Sequence, residues 1–168
     1  LNNDTVVTHG WVRDLIRPMQ RDPTIGLAGP LTNNIGNEQK IKAGYRSLPE
    51  MPEWSRRFTR RHLRETYEVD NLAFFCVAIR RKVLDELGLL DEAYGIGFFE
   101  DDDYCRRARQ AGFRLVIADD VFVHHHLSVS FDALGSKAAD LMARNRAIFE
   151  ARWGAWEPHR YRDKPGFG

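Results

Sequence analysis

Hydrophobic residues recur at helical spacing in some stretches and form short unbroken runs in others, which predicts helices alternating with strands. Trp11, Val12, Leu15, Ile16 and Met19 make an apolar stripe from about Gly10 to Gln20, with Thr8 placed to cap that helix. Asp22-Pro23 stops it, and Ile25 to Gly29 reads as a short buried strand ended by Pro30. Leu72 to Ile79 is a continuous apolar run, as expected of a strand covered on both faces. Arg80 to Leu87 predicts a short helix ended by Gly88, and a second helix begins at Glu100 and stops at Gly112. Phe113 to Ala118 and Val121 to Val123 follow as two short strands. Leu141, Ile148, Phe149 and Trp153 mark the apolar side of a last helix from about Ser136 to Trp153. Residues 31–66 are polar and irregular; a loop that long inside a compact domain is usually functional or mobile. The order of elements predicts one α/β layered domain over 1–168.

Composition narrows the partners. With 168 residues, 43% of them apolar, the chain can bury one sizeable core and is not expected to be disordered. A formal net charge of +1 creates no global field, so nucleic acid is not an expected partner and any charge argument must be local. Cys76 and Cys105 fit no metal, redox or disulfide spacing, which is simplest for a reduced, cytoplasmic chain. No apolar run approaches the roughly 18 residues that span a bilayer, and no signal peptide is visible. Leu1 feeds directly into Asn-Asn-Asp-Thr, which reads as a cut through a strand-to-loop junction; a longer parent chain is therefore expected.

Four clusters could carry chemistry. Asn2-Asn3-Asp4 would lie beyond a strand end, where carboxylate and amide oxygens suit Mg²⁺ or Mn²⁺, although Asn and Asp are equally common in turns. Glu100-Asp101-Asp102-Asp103 opens a helix, where acids offset the positive end of the helix dipole. Four-residue spacing points Asp102 at Arg106 and Asp103 at Arg107, but Asp101 at Cys105 and Glu100 at Tyr104. Glu100 and Asp101 thus lack local partners, and like charges nearby would raise a carboxyl pKa as a general base requires. Gly95 and Gly97 precede them and would let backbone approach a ligand. In His124-His125-His126, strand alternation sends His125 to one face and its neighbours to the other. One of them could complete a metal site with Asp4, or the three could simply pack and solvate. Finally Arg56, Arg60 and Arg64 would share one stripe if 54–65 were helical. That stripe could meet acceptor phosphates or an anionic membrane surface, or be a solvated face.

These segments together resemble the C-terminal half of family 2 glycosyltransferases, which have the GT-A fold. The ordered matches include Leu-Asn-Asn-Asp-Thr at 1–5, Gly-Leu-Ala-Gly-Pro at 26–30 and Phe-Cys-Val-Ala-Ile-Arg-Arg at 75–81. Gly-Leu-Leu-Asp-Glu at 88–92, Gly-Ile-Gly-Phe-Phe-Glu-Asp-Asp-Asp-Tyr-Cys at 95–105 and Val-Phe-Val-His-His at 121–125 complete them. The resemblance implies a partial GT-A fold, a mixed sheet flanked by helices, without the N-terminal nucleotide-binding half. It implies a metal motif at Asn2, Asn3 and Asp4, with Asp4 the direct ligand and Asn2 replacing the usual first acid. It further implies Asp101 as catalytic base beside Glu100, and His125 as a member of the metal shell. Phe74-Phe75-Cys76 falls where many relatives carry small residues near the sugar, and 31–66 becomes a variable loop or acceptor-side insertion. Phe-Glu-Ala-Arg-Trp at 149–153 is similar to the Gln-X-X-Arg-Trp signature of processive relatives, but Phe149 stands at the glutamine position.

The implied activity is inverting transfer of a sugar from a nucleotide-sugar, with a divalent cation, to a glycan or lipid-linked hydroxyl acceptor. Polysaccharide or lipopolysaccharide synthesis at the inner face of a membrane is the expected setting. The 54–65 arginines would supply peripheral membrane contact, and a truncated sheet edge would favour self-association. Two other classes use similar residues. A metal-dependent nucleotidyl- or phosphotransferase would arrange the acids around two ions. A non-catalytic binding or assembly module would need no nucleotide-binding half.

Overall fold

The computed structural model describes residues 1–126 and 136–162. Its centre is a mixed four-stranded sheet in the order β3-β5-β2-β4, formed by β2 (Ile25–Leu31), β3 (Thr66–Val69), β4 (Ala78–Ile79) and β5 (Arg114–Phe122). The two central strands run parallel, and the outer two pair antiparallel to them. β1 (Thr5–Val6) and β6 (His124–His125) form a separate antiparallel pair.

Residue alternation along the central strands divides the core. Ala28, Val116, Ala118 and Val121 pack with Leu15 and Met19 of α1 (Trp11–Arg21). Leu27, Leu31, Leu115, Ile117 and Phe122 pack with α2 (Met51–Arg61), α3 (Arg81–Leu87) and α4 (Glu100–Gln110), through Phe58, Val83 and Tyr104 among others. The sheet is therefore flanked by helices on both faces. α5 (Ser136–Trp153) packs Phe149 on Tyr94 and Phe99, in a smaller cluster over the glycine-aromatic loop.

Several sequence expectations are corrected, each for a physical reason. Thr8 does not cap α1; its hydroxyl donates to the Phe122 carbonyl, and Gly10 takes the N-cap position in the left-handed region. Val12 is half exposed rather than part of the buried stripe. β2 runs through Pro30 to Leu31, because β4 pairs only Leu27 and Ala28 and the ladder on that side has already ended. Leu72 to Ile79 is not a full strand: only Ala78–Ile79 pairs. Before that, the Leu72 N–H donates to Cys105 Sγ and the Ala73 N–H to Gln39 Oε1, while the Phe75 carbonyl accepts from Asn2. Side chains and a neighbouring turn thus replace the ladder, which lets a buried segment bend.

The two strands expected at 113–118 and 121–123 are one. Asp119 and Asp120 look like a turn in sequence, but both are buried within β5. Arg162 grips Asp119 through two hydrogen bonds of 2.6 and 2.9 Å. Asp120 accepts from Arg17 and from the Arg64 N–H. Residues 31–66 are not wholly irregular either. They hold a 3-10 turn at Leu48–Glu50 and then α2, whose Met51, Ser55 and Phe58 are buried. Arg56 and Arg60 lie on that helix, but Arg64 lies beyond its end with φ 67°. The three-arginine stripe is therefore broken.

Candidate active site

β2 and β5 are in register at Leu31 and Phe122, so both parallel strands end on the same side of the sheet. Ligands of open α/β sheets bind at such carboxyl ends. The Asn33 side chain lies there and holds the His125 backbone from both sides, accepting from its N–H at 2.8 Å and donating to its carbonyl at 3.1 Å. β1 then pairs Thr5 with His125, and the His126 N–H donates to the Asp4 carbonyl. This pairing brings the Asp4 side chain beside an imidazole 121 positions away in the sequence numbering, with His125 Nε2 3.3 Å from Asp4 Oδ2.

His125 is buried, stacks on Phe75 at 4.9 Å, and has Nδ1 3.0 Å from the Asn34 carbonyl. An N–H at Nδ1 directed to that carbonyl leaves Nε2 as a lone pair facing a carboxylate. Two acceptors so close need a positive charge between them, either a ring proton or a cation. The other Asp4 oxygen, Oδ1, is buried without a hydrogen-bond partner. A carboxylate and an oriented imidazole fit a Mn²⁺ or Mg²⁺ shell, and such ions commonly take only one or two carboxylates plus phosphate oxygens and water. Among the described residues no group of three or more His, Cys, Asp or Glu is placed to hold a metal. Asp4 and His125 would thus be an incomplete shell that substrate oxygens finish. Asn2 and Asn3 are exposed; the Asn2 carbonyl accepts from the Thr5 hydroxyl, closing the turn. His124 and His126 lie on the opposite side from His125, their rings 4.5 Å apart, as strand alternation requires.

The second cluster begins where the chain passes through an unusual loop. Phe98 and Phe99 both have left-handed backbones, with φ 66° and 69°, directly after Gly97. A non-glycine residue there is strained unless its surroundings hold it. The Asn145 amide of α5 does so, facing the carbonyls of Tyr94, Gly97 and Phe98 at 2.6, 2.7 and 3.1 Å. α4 then starts with its four acids, and they divide sharply. Asp103 is fully buried and accepts from Arg107, Arg152 and Trp153, with Tyr94 at 3.4 Å. The expected Asp103–Arg107 pair is present. The expected Asp102–Arg106 pair is not: Asp102 turns to Asn71 and His159, each at 3.0 Å, while Arg106 lies over the Phe149 ring.

Among the described residues Glu100 and Asp101 have no hydrogen-bonded cationic partner of this kind. Burial, then the charges of Asp102 and Glu100, pushes the Asp101 carboxyl up to about 7; the Asp102 N–H and the charge of His159 oppose this only in part. Burial also raises Glu100, whose Oε2 is buried without a hydrogen-bond partner. His159 feels opposed effects: burial lowers its pKa, but the hydrogen bond to Asp102 and the charges of Asp102, Asp101 and Glu38 together outweigh it and the net shift is upward.

The segment 71–75 ties the clusters together. Asn71 donates to Asp102 at one end, and Phe75 stacks under His125 at the other. Four residues of extended chain span at most about 14 Å. Asn37 and Gln39 support this segment, Asn37 donating to Asn71 Oδ1 and Gln39 receiving the Ala73 N–H. Sequence reasoning missed Asn33, Asn37, Gln39, Asn71, Asn145 and His159. Each is a polar residue in a stretch already polar, so no local signal distinguished them. A cleft of about 650 Å³ lies elsewhere, between α1 and α2, beside Trp11, Arg56 and Asp120, and contains none of the expected site acids. Another, of about 470 Å³, adjoins Asn33 and His124. Cys76 and Cys105 are buried and free. Among the described residues no helix is long and apolar enough to cross a membrane.

The architecture, a mixed sheet flanked by helices, is that of a partial GT-A-like glycosyltransferase domain. The chain belongs to glycosyltransferase-like family 2, whose family model matches residues 1–145. It is also similar to "Uncharacterized protein y4gI" of Sinorhizobium fredii (strain NBRC 101917 / NGR234), at 27% identity over 173 residues. That match covers 97% of this chain but only 18% of the relative, so the chain spans less than a fifth of that protein's length. The family to which the chain belongs is one of glycosyltransferases.

Proposed function

We propose that this domain supplies the cation-holding and proton-accepting groups of an inverting transferase that moves a sugar from a nucleotide-sugar to a hydroxyl acceptor. The observation that carries the reading is the separation of two kinds of carboxylate along one short segment. Asp4 faces His125 with one oxygen still unpartnered, while Asp101 stands apart with its proton affinity raised to about 7. A base whose pKa matches ambient pH is both deprotonated often enough and basic enough to accept a hydroxyl proton.

In this mechanism Asp101 takes the proton of the acceptor hydroxyl as that oxygen attacks the anomeric carbon, on the face opposite the departing nucleotide. Glu100 lies beside it, with one oxygen buried and without a hydrogen-bond partner. Asp4 and His125 would hold Mn²⁺ or Mg²⁺, which when bound supplies Lewis-acid stabilisation of the leaving diphosphate. Asn33 and Asn34 keep His125 turned toward Asp4, and Asn145 fixes the loop that presents the acids. Residues 31–66 would form the acceptor side, and a glycan or lipid-linked glycan is the proposed acceptor class.

Replacing Asp101 by Asn keeps the shape and removes the base. Transfer by the intact protein should fall about 10²- to 10⁴-fold, while calorimetry with UDP-, GDP- and dTDP-sugars plus Mn²⁺ should show donor affinity retained. Undiminished turnover would sink the assignment.

A further inference from the structure

The cleft of about 470 Å³ beside Asn33 has a lining unlike the rest of the surface: Lys40, Lys42, Tyr45, His124 and Asn33 contribute, and no carboxylate does. The two lysines are both exposed and two positions apart, and Ile41 between them is 7% exposed and buried in the core. In extended chain that spacing turns both lysines to one side. The segment is firmly held. Thr32 donates to the Gln39 carbonyl and accepts from the Ile41 N–H, at 2.9 Å each, and bridges Lys40 in parallel. Tyr45 and His124 are hydrogen bonded across the cleft.

Neither lysine has an ion-pair partner among the described residues, in contrast to Lys82, Arg57, Arg107, Arg114 and Arg162. Lys40 has only a ring contact, its ammonium 5.9 Å from the centre of Tyr161. Two cations without ion-pair partners on a hydrogen-bonded extended segment, in a concave site with further polar groups, are an electrostatic match for a multivalent anion. The position matters as much as the charge. Asn33 lines this cleft and also grips His125, so the cleft lies one residue away from the Asp4–His125 pair.

We infer that Lys40 and Lys42 form an anion subsite for the phosphate or diphosphate group of the acceptor, separate from the Asp4–His125 pair. The assignment to the acceptor rests on the transfer reading above; the anion site itself does not. The first test is calorimetry with inorganic pyrophosphate on the intact protein in EDTA. Saturable binding should appear, survive Asp4→Ala, fall at least about tenfold in Lys40→Ala/Lys42→Ala, and persist in Lys40→Arg/Lys42→Arg. Absence of saturable binding, indifference to the lysines, or loss with Asp4→Ala would overturn the subsite. UDP competing as strongly as pyrophosphate in EDTA would give the cleft to the donor and overturn the acceptor assignment.

Vesicles of phosphatidylglycerol and of phosphatidylcholine separate two sources of the same chemistry. Lysine-dependent binding to the anionic vesicles alone identifies a lipid headgroup, and binding of soluble pyrophosphate without vesicles identifies a free diphosphate. In transfer assays the alanine pair should raise KM for a phosphorylated acceptor while leaving kcat, and leaving a neutral acceptor unaffected. An unchanged KM would overturn the acceptor role. Lysine-dependent pyrophosphate binding in a protein with no transfer to any acceptor would instead defeat the function reading and leave the anion site standing.

Discussion

Asp119 and Asp120 lie inside β5, and each is met by a guanidinium: Arg162 on the first, Arg17 on the second. Glu100 and Asp101 lie half-buried at the start of α4, and among the described residues no guanidinium is paired with them. The same side-chain chemistry in two partly or wholly buried settings therefore gives opposite outcomes. A buried carboxylate that finds a cation is held by it and becomes part of the architecture. One whose nearest charges are other carboxylates holds its proton to higher pH and becomes available for proton transfer. Asp102 and Asp103 show the division within a single helical turn, since Asp103 is tied to Arg107 and Arg152 and Asp102 to His159.

That contrast can be broken from the structural side first. Asp119→Ala leaves the Arg162 guanidinium buried without its carboxylate and should cost about 3–5 kcal/mol of stability, read by urea denaturation. A loss below about 1 kcal/mol would mean that Arg162 relaxes into solvent, as an exposed pair would. On the chemical side, His125→Ala should weaken Mn²⁺ binding at least about tenfold in a titration of the intact protein, with little change in fold. Unchanged Mn²⁺ affinity would remove His125 from the shell.

The third effect is a slope with pH. The folded-state pKa of Asp101, about 7, lies above its ordinary value, so the native state holds a proton that the unfolded chain releases near pH 4. This contribution to stability is complete below about pH 4 and is lost as pH rises through about 7. Asp101→Asn should remove that slope, so the variant gains melting temperature relative to the parent chain between pH 4 and 7. Parallel curves over that range would contradict the raised proton affinity. The smallest effect is the control: Glu53 and Arg57 form an exposed pair on α2, and Glu53→Gln should change stability by less than about 0.5 kcal/mol.

Much of the helical layout was legible in the chain, because period and punctuation are local. α1, α3, α4 and α5 follow from apolar spacing, Asp22-Pro23, Gly88 and Gly112. The Asp103–Arg107 pair and the divergent histidines followed from helical and strand geometry alone. Errors arose where a distant partner changed the meaning of a residue. Asp119-Asp120 looked like a break until Arg162 and Arg17 were placed on it. The run from Leu72 looked like a strand until Gln39, Cys105 and Asn2 took its backbone groups.

The candidate site divides along the same line. Sequence by itself determined the inventory: an Asn-Asn-Asp turn, an acidic helix start lacking neighbours for Glu100 and Asp101, and a histidine triplet after a strand. Only tertiary structure decided that His125 turns its imidazole to Asp4, that Asn145 secures the left-handed Phe98 and Phe99, and that Lys40 and Lys42 lie beside Asn33 with no ion-pair partner among the described residues. The physical reason is range. Helical period and dipole act over a few residues of chain, whereas desolvation and charge pairing depend on which groups folding brings within a few ångströms, however far apart they stand in sequence.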